Sequence, residues 1–356
     1  MSGLRAITDR AGEWLRGRGP HADVVISSRI RYARNLAGYP FVNRANARQH
    51  EDVRDRCREH IVSKRLASDV IWVDLNQSPT LDRQLLVERH LISRQHANPK
   101  NTIPRAVAID ADETWAVMVN EEDHMRIQVL RSGMQLAEAF DQIERLDNVL
   151  EERIDFAYSR RFGYLTGCPT NVGTGLRVSV MMHLPALVLT GEIDKVKRAA
   201  RDMHLAIRGL FGEGSENLGD LFQVSNQTTL GRSESEILDD FQRTIVPQII
   251  DYEHKAREAL IDQRPNQLDD RVYRAWGTLT HARTINTEEV LQLLSHVRLG
   301  VNLGRLDVPQ INTRTLNELF LLTQPAHLQR VVGQEMEPAD RRIARANLIR
   351  KRLGAH

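Results

Sequence analysis

The period of the apolar positions changes part-way along this chain. Up to about residue 230, short β-branched and aliphatic runs alternate with polar residues; beyond it, apolar side chains recur every three or four positions. The first regime predicts strands: 23–34 (DVVISSRIRYAR), 70–75 (VIWVDL) and 106–130, which includes a hairpin around Asp110–Glu113. Residues 176–189 read as strand then loop, and 205–211 and 221–230 as a strand pair separated by the glycine-rich EGSENLG. Helical pattern covers 4–17, broken at Gly17–Pro20, then 46–66 and 132–155. The second regime opens at Ser233-x-x-Glu236, a capping-box signal. Ile237, Phe241, Ile245, Ile249 and Tyr252 follow at helical spacing and predict one long helix over 234–262. Residues 265–356 stay helical in period, with breaks near Pro265, Gly300–Gly304, Pro309 and Pro325, and Asn286 with Glu289 repeats the capping signal. The expected organisation is an N-terminal segment (1–22), an α+β domain (23–255) and an all-α C-terminal domain (256–356).

Composition adds limits. With 356 residues and 41% apolar content the chain can bury two cores. A net charge of +2 supplies no global field for nucleic acid. Of 49 basic residues, 43 are arginine, a bias that codon usage explains for most and two-pronged phosphate contacts for a few. The two cysteines, Cys57 and Cys168, suggest neither a disulfide framework nor a zinc site. The first nineteen residues lack the apolar core of a signal peptide, and the best apolar stretch, 178–190, contains His183 and Pro185 and is too short to span a bilayer. The expectation is a soluble, cytoplasmic protein with no membrane or direct nucleic-acid partner.

Candidate chemistry concentrates in four segments. The run 163–177 (GYLTGCPTNVGTGLR) combines Cys168, a Gly-x-Gly turn and Arg177. Glycines let backbone N–H groups approach an anion, and arginine adds a forked, always charged donor. SSRIR (27–31) places Arg29 and Arg31 on one strand face; NEEDHMR (120–126) sets Glu121, Glu122 and Asp123 within an apolar strand pattern ending at Arg126; RGLFGEGSE (208–216) joins Arg208 to Glu213. Converging guanidinium groups suit a nucleoside triphosphate, and two glutamates from separate elements suit a planar cation that loses a proton. Singly, each arginine reads more readily as a surface residue than as a ligand, and composition alone favours the acids as the solvated end of a hairpin. No Walker, HRD or DFG sequence is present.

Together these segments, with LVERHLIS, MMHLPALVLT, QVSNQTTLG, RVYRAWG, VRLGVNLG and NELFLLTQPAHLQR, resemble the phosphagen (guanidino) kinases, and most of all the bacterial protein arginine kinases. The resemblance covers nearly the whole chain. It implies a curved antiparallel sheet ringed by helices, followed by a helical domain, and phosphorylation of arginine side chains in proteins by ATP. It implies that Arg29, Arg31, Arg126, Arg177 and Arg208 meet the phosphates, with Ser27, Ser28, Ile30 and His90 beside them. Val178, Ser179, Val180 and Met181, then Gly209, Leu210, Phe211 and Gly212, would line the same pocket. Glu122 would hold and deprotonate the guanidinium, with Glu213 as partner and Cys168 orienting the cation; Mg²⁺ would be held mostly by ATP oxygens and water. The family's phosphoarginine-binding motif, RDxxRA, reads here Arg341-Arg342-Ile343-Ala344-Arg345-Ala346, with arginine for the acid. Implied partners are arginine-bearing proteins, a stress-response repressor, a Clp-type protease system, a zinc-binding activator protein and a second copy of the chain. SSRIR begins at residue 27, leaving no room for the helical domain that encloses a free substrate in small-molecule guanidino kinases. A free guanidino-compound kinase and a catalytically idle adaptor are the alternatives.

Overall fold

The computed structural model describes residues 4, 11–62, 66–67, 69–210, 218–308 and 311–355. The strands are β1 (Val25–Arg34), β2 (Val70–Asp74), β3 (Ala106–Asp110), β4 (Trp115–Val119), β5 (Met125–Ser132), β6 (Tyr158–Ser159), β7 (Gly163–Tyr164), β8 (Leu176–His183), β9 (Leu205–Arg208) and β10 (Leu221–Asn226). Eight of them form one antiparallel sheet in the order β2-β3-β4-β5-β1-β8-β10-β9; β6 and β7 make a separate small hairpin. The first strand in sequence therefore lies mid-sheet, paired with β5 on one side and β8 on the other.

The alternation of β1 explains this position. Ile30 and Tyr32 are fully buried on one face, whereas Arg29 and Arg31 stand half-buried on the other. The apolar face packs against the helix Leu136–Glu151, whose buried side chains Leu136, Ala139, Ile143, Leu146 and Leu150 repeat at helical spacing. Arg34 belongs to this face too. Its guanidinium takes both oxygens of Asp147, at 2.6–3.1 Å, stacks on Tyr32 and Tyr164, and donates to Thr174 O at 2.9 Å. A Cβ at Gly175 (φ +68°) would lie 2.7 Å from both Ala33 O and Arg34 Nη1, so only glycine lets the turn before β8 close on β1.

The α+β expectation is met, with local differences. NEEDH is not strand but the tight β4–β5 turn: Asn120 adopts φ +57° and its N–H reaches His124 O at 3.0 Å. The segment after β8 is a helix, Pro185–Leu189, because the Glu253 carboxylate accepts the N–H groups of Ala186 and Leu187, both at 3.1 Å. The helix expected over 234–262 starts at the capping box on Ser233 but contains a π-turn, Phe241–Ile245, between Glu234–Asp240 and Val246–Gln263. Pro247 removes an N–H there, and the wider turn accommodates it. Of the N-terminal helix expected over 4–17, the turn Glu13–Leu15 is described; residues 5–10 and Pro309 lie outside the described residues. The helices Thr80–Glu88 and Ile193–Asp202 were not expected from the sequence.

The last third is helical: Pro265–His281, Thr287–Asn302, Thr313–Leu322, Pro325–Val332 and Pro338–Arg352. Two polar junctions join it to the sheet. Arg298 donates to Asp23 O, Ala22 O and His183 Nδ1 at 2.6–2.9 Å. Glu88 accepts from the N–H groups of Ala326 and His327 and from His327 Nδ1, so a carboxylate two residues before His90 caps the Pro325–Val332 helix. Beside it Arg89 pairs with Glu113 and lies 3.2 Å from His327 Nε2.

Burial is the main reason that six histidines stay neutral. It pushes His90 down to about 3 and His96, His124 and His296 to about 4, and it lowers His183 and His327 as well. The unfolded chain takes up protons below about pH 6.5 that the native state refuses. Stability is therefore expected to fall as pH drops from 6.5 towards 4, by up to about 1.4 kcal/mol per pH unit for each of His90, His96, His124 and His296. Urea midpoints measured across this range check it; a flat profile would show that these imidazoles titrate alike in both states.

Candidate functional site

The polar face of the sheet is built by register. Arg31 on β1 lies directly between Gln128 on β5 and Arg177 on β8. Arg29, two positions earlier, pairs with Ser179, and Arg208 on β9 lies opposite Gln223 on β10. With Arg126 these side chains line a cleft of about 550 Å³, together with Val87, His90, Ile92, Ser93, Arg94 and Met118 and with Cys168, Thr170 and Asn171.

Six arginines against two glutamates line this cleft, and the arginines feel one another. Burial, then Arg177 and Arg126, push Arg29 down to about 10. Arg31 is lowered well below its ordinary value by burial and by Arg29, Arg177 and Arg126, with Glu121 countering in part. Arg29 is held by Gln223 Oε1 at 2.7 Å and Arg177 by Ser225 Oγ at 3.1 Å, whereas Arg31 Nε is buried with no hydrogen-bond partner among the described residues. Desolvated like charges with unused donors favour a multiply charged oxyanion.

The acidic turn stands at the edge of the arginines. Arg126 reaches Glu121 Oε2 and Glu122 Oε2, both at 2.7 Å. Burial opposes ionisation of Glu121, but Arg126, the Ser93 hydroxyl at 2.6 Å and His96 outweigh it and hold the carboxyl below its ordinary value. Glu122 is more open, its side chain 37% exposed. Gly167 packs on this residue: a Cβ there would come within 2.7 Å of Glu122 O. The next residue, Cys168, is half-buried in the cleft wall, its Sγ 3.1 Å from Thr170 Oγ1. A carboxylate and a thiol thus line the same cleft beside a strongly positive floor, an arrangement that can hold a planar cation against an anion and take a proton from it.

The structure gathers Arg29, Arg31, His90, Glu122, Arg126, Cys168, Arg177 and Arg208 in this one cleft. Ser27, Ser179 and Met181 share its face through their register but are buried and do not line it. Ser28, Ile30, Val178 and Val180 point to the opposite face; Ser28 Oγ bonds Gly133 O at 2.8 Å, and the other three are core. Gly209 is buried after Arg208, and Leu210 lines a small void with Trp14 and Leu15. Phe211, Gly212 and Glu213 lie outside the described residues. Arg341, Arg342 and Arg345 sit on the Pro338–Arg352 helix and do not line the cleft. Sequence reasoning missed Arg94, Ser93, Thr170, Asn171, Gln128 and Gln223 as lining residues. Gln128 and Gln223 carried a signal, a polar residue at an inward position of an otherwise apolar strand. His90 adopts φ +59°, fixed by Gln128 Nε2 donating to its carbonyl at 2.9 Å and by an edge contact with Trp14.

The chain is similar to known proteins. Residues 52–256 match the family model "ATP:guanido phosphotransferase, C-terminal catalytic domain", and residues 265–356 match "Protein-arginine kinase McsB C-terminal domain". Similar proteins include "Protein-arginine kinase" of Symbiobacterium thermophilum, 49% identical over 99% of this chain and 100% of that one. That of Halothermothrix orenii is 45% identical over 99% of both chains. Among solved structures, a duplicated taurocyamine kinase from Schistosoma mansoni with bound transition state analog components aligns with a TM-score of 0.61 and 25% identity, over 67% of this chain and 34% of that one. A lombricine kinase aligns with a TM-score of 0.58 over 67% of this chain and 68% of that one, at 24% identity. Sheet, cleft and full-length likeness agree: the chain belongs to the ATP:guanido phosphotransferase family, in its protein-arginine kinase branch.

Proposed function

We propose that this protein transfers the γ-phosphoryl group of ATP to arginine side chains of other proteins. The observation that carries the reading is the juxtaposition of a desolvated arginine floor with the Glu122–Cys168 pair in one cleft. Arg29, Arg31, Arg126, Arg177 and Arg208 hold the triphosphate, and neutral His90 with Trp14 behind it shapes the nucleotide end. Mg²⁺ would be held mostly by the nucleotide's own oxygens and water and would supply charge neutralisation at the phosphates; among the described residues no cluster of three potential metal ligands exists. A nitrogen of the acceptor guanidinium attacks the γ-phosphorus, the bond to the bridging oxygen breaks with its electron pair leaving on ADP, and the acceptor's proton passes to Glu122. Cys168 orients the acceptor cation, and Glu213 is proposed as a second carboxylate. No helix among the described residues is long and apolar enough to cross a membrane. The setting proposed with this activity is the cytoplasm, with a dimeric enzyme marking targets in protein quality control and stress response.

The test is incubation with ATP and either a denatured basic protein or free L-arginine, read by mass spectrometry under neutral conditions because the P–N bond is acid-labile. Phosphoarginine in the protein is expected; product from free arginine alone would make this a small-molecule kinase. Glu122→Gln is expected to lower the transfer rate by roughly 10²–10⁴ with the fold intact. Wild-type turnover would remove Glu122 from the chemistry.

Arg126 already occupies Glu122 with a guanidinium of its own. Nucleotide phosphates compete for Arg126 and thereby expose the carboxylate. Arg126→Ala is expected to tighten binding of an arginine peptide to the nucleotide-free enzyme by roughly tenfold, a hydrogen-bonded charge pair's worth, while impairing use of ATP. Calorimetry of both forms decides; unchanged peptide affinity would show that the internal pair does not compete.

On the Pro338–Arg352 helix, Arg345 is buried and donates to Thr323 O at 2.8 Å and Ile285 O at 3.0 Å, whereas Arg342 is exposed. Free phosphoarginine is expected to bind this helix weakly, and Arg342→Asp to tighten it by roughly tenfold through a charge-assisted bond to the ligand's guanidinium. Titration of both forms with phosphoarginine checks this, and equal affinities would show the substitution to be silent.

A further inference from the structure

Three hydrogen bonds converge on the side chain of Asn35, the residue that follows β1. Its Nδ2 donates to Asp123 Oδ1 at 2.7 Å and to Leu165 O at 3.0 Å, and its Oδ1 accepts the His124 N–H at 2.9 Å. Asp123 Oδ1 accepts a second bond, from the Gly167 N–H, at 2.5 Å. Both side chains are buried, and neither lines the cleft. One amide and one carboxylate thus tie together the end of the strand bearing Arg29 and Arg31, the turn bearing Glu122, and the loop bearing Cys168.

We propose that Asn35 and Asp123 form a positioning pair that fixes Glu122 and Cys168 relative to each other and to the arginines of β1. This rests on the roles given to those groups above. The chemistry of the contact explains the residue types. Asn35 donates twice and accepts once at the same time, which neither a carboxylate nor a hydroxyl can do. Asp123 contributes one oxygen that receives two donors from different segments, while its Oδ2 is buried with no hydrogen-bond partner among the described residues. Burial raises the Asp123 carboxyl above its ordinary value despite those two donors. Its part is geometric: it holds the Gly167 amide where the following residue, Cys168, meets the acceptor site. An acceptor displaced by about 1 Å from in-line geometry loses on the order of 10²-fold in rate.

The experiment uses the full chain and follows kcat, the KM values for ATP and for an arginine-bearing protein, and the rate of Cys168 alkylation by iodoacetamide. Asn35→Asp sets two carboxylates against each other in a buried place. It is expected to lower kcat about 10–100-fold, to leave the KM for ATP within about twofold, and to change the Cys168 alkylation rate several-fold. Adding Asp123→Asn removes the like-charge contact and restores a donor–acceptor pair between the two side chains, while Leu165 O stays without its donor, so it is expected to recover part of the loss in kcat and to move the alkylation rate back towards the original. If Asn35→Asp does not fold, Asn35→Ala, which removes all three bonds without adding charge, gives the same readouts. Unchanged kcat and alkylation in the folded variant, or a loss that the double substitution fails to relieve, would overturn the proposal. The alkylation rate needs no acceptor, so it reads the positioning even if the wild-type enzyme fails to phosphorylate protein arginine.

Discussion

Guanidinium groups crowded onto one face of a sheet repel one another, and everything around the cleft answers to that repulsion. Arg31 and Arg177 are cross-strand neighbours, an arrangement that disfavours the pairing of β1 with β8. The opposite face holds the strands together instead. There Ile30, Tyr32, Val178 and Val180 are buried, and Arg34 sits in a complete set of partners formed by Asp147, Thr174 O and two aromatic rings. The same residue type thus does opposite work on the two faces of one strand. On one it is satisfied and locks a turn; on the other its charge is left to be met by a ligand.

The parts legible from the sequence are those governed by local period and short-range signals. The strand at Val25–Arg34, the capping box at Ser233 and the cap at Asn286 all follow from side chains a few residues apart. The arginines were legible because alternation along β1 fixes a common face and because the resemblance ties the segments together. The acidic turn was misread as strand for a physical reason. Trp115–Val119 is buried on both faces, so its apolar run looks continuous with that of β5, and only Asn120, a residue tolerant of positive φ, marks the reversal.

Long-range polar contacts were not legible at all. Glu88 reads as one more charge on a helix, yet it caps another helix 238 positions later. Glu253 does the same for Ala186 and Leu187. Asn35 is an ordinary residue after a strand until the acidic turn and the cysteine loop are folded around it. Such residues have no periodicity and no short-range partner, so their function exists only in three dimensions. Each satisfies backbone groups that the local sequence leaves open, and one of the helices capped in this way, Pro185–Leu189, is among the elements that sequence pattern did not resolve.

The mid-sheet place of β1 also has a price in time. This strand leaves the ribosome first among the ten, but Ser28 bonds Gly133, 105 positions later, and Arg29 meets Ser179, 150 positions later. At the pace of synthesis, on the order of 5–20 residues per second, it waits for many seconds with both hydrogen-bonding edges open. An unpaired edge is a template for pairing with another chain, and contacts this distant in sequence form slowly. The strand's own arginines supply the safeguard. Their mutual repulsion, a burden in the finished sheet, keeps one nascent β1 from stacking on another until β5 and β8 arrive.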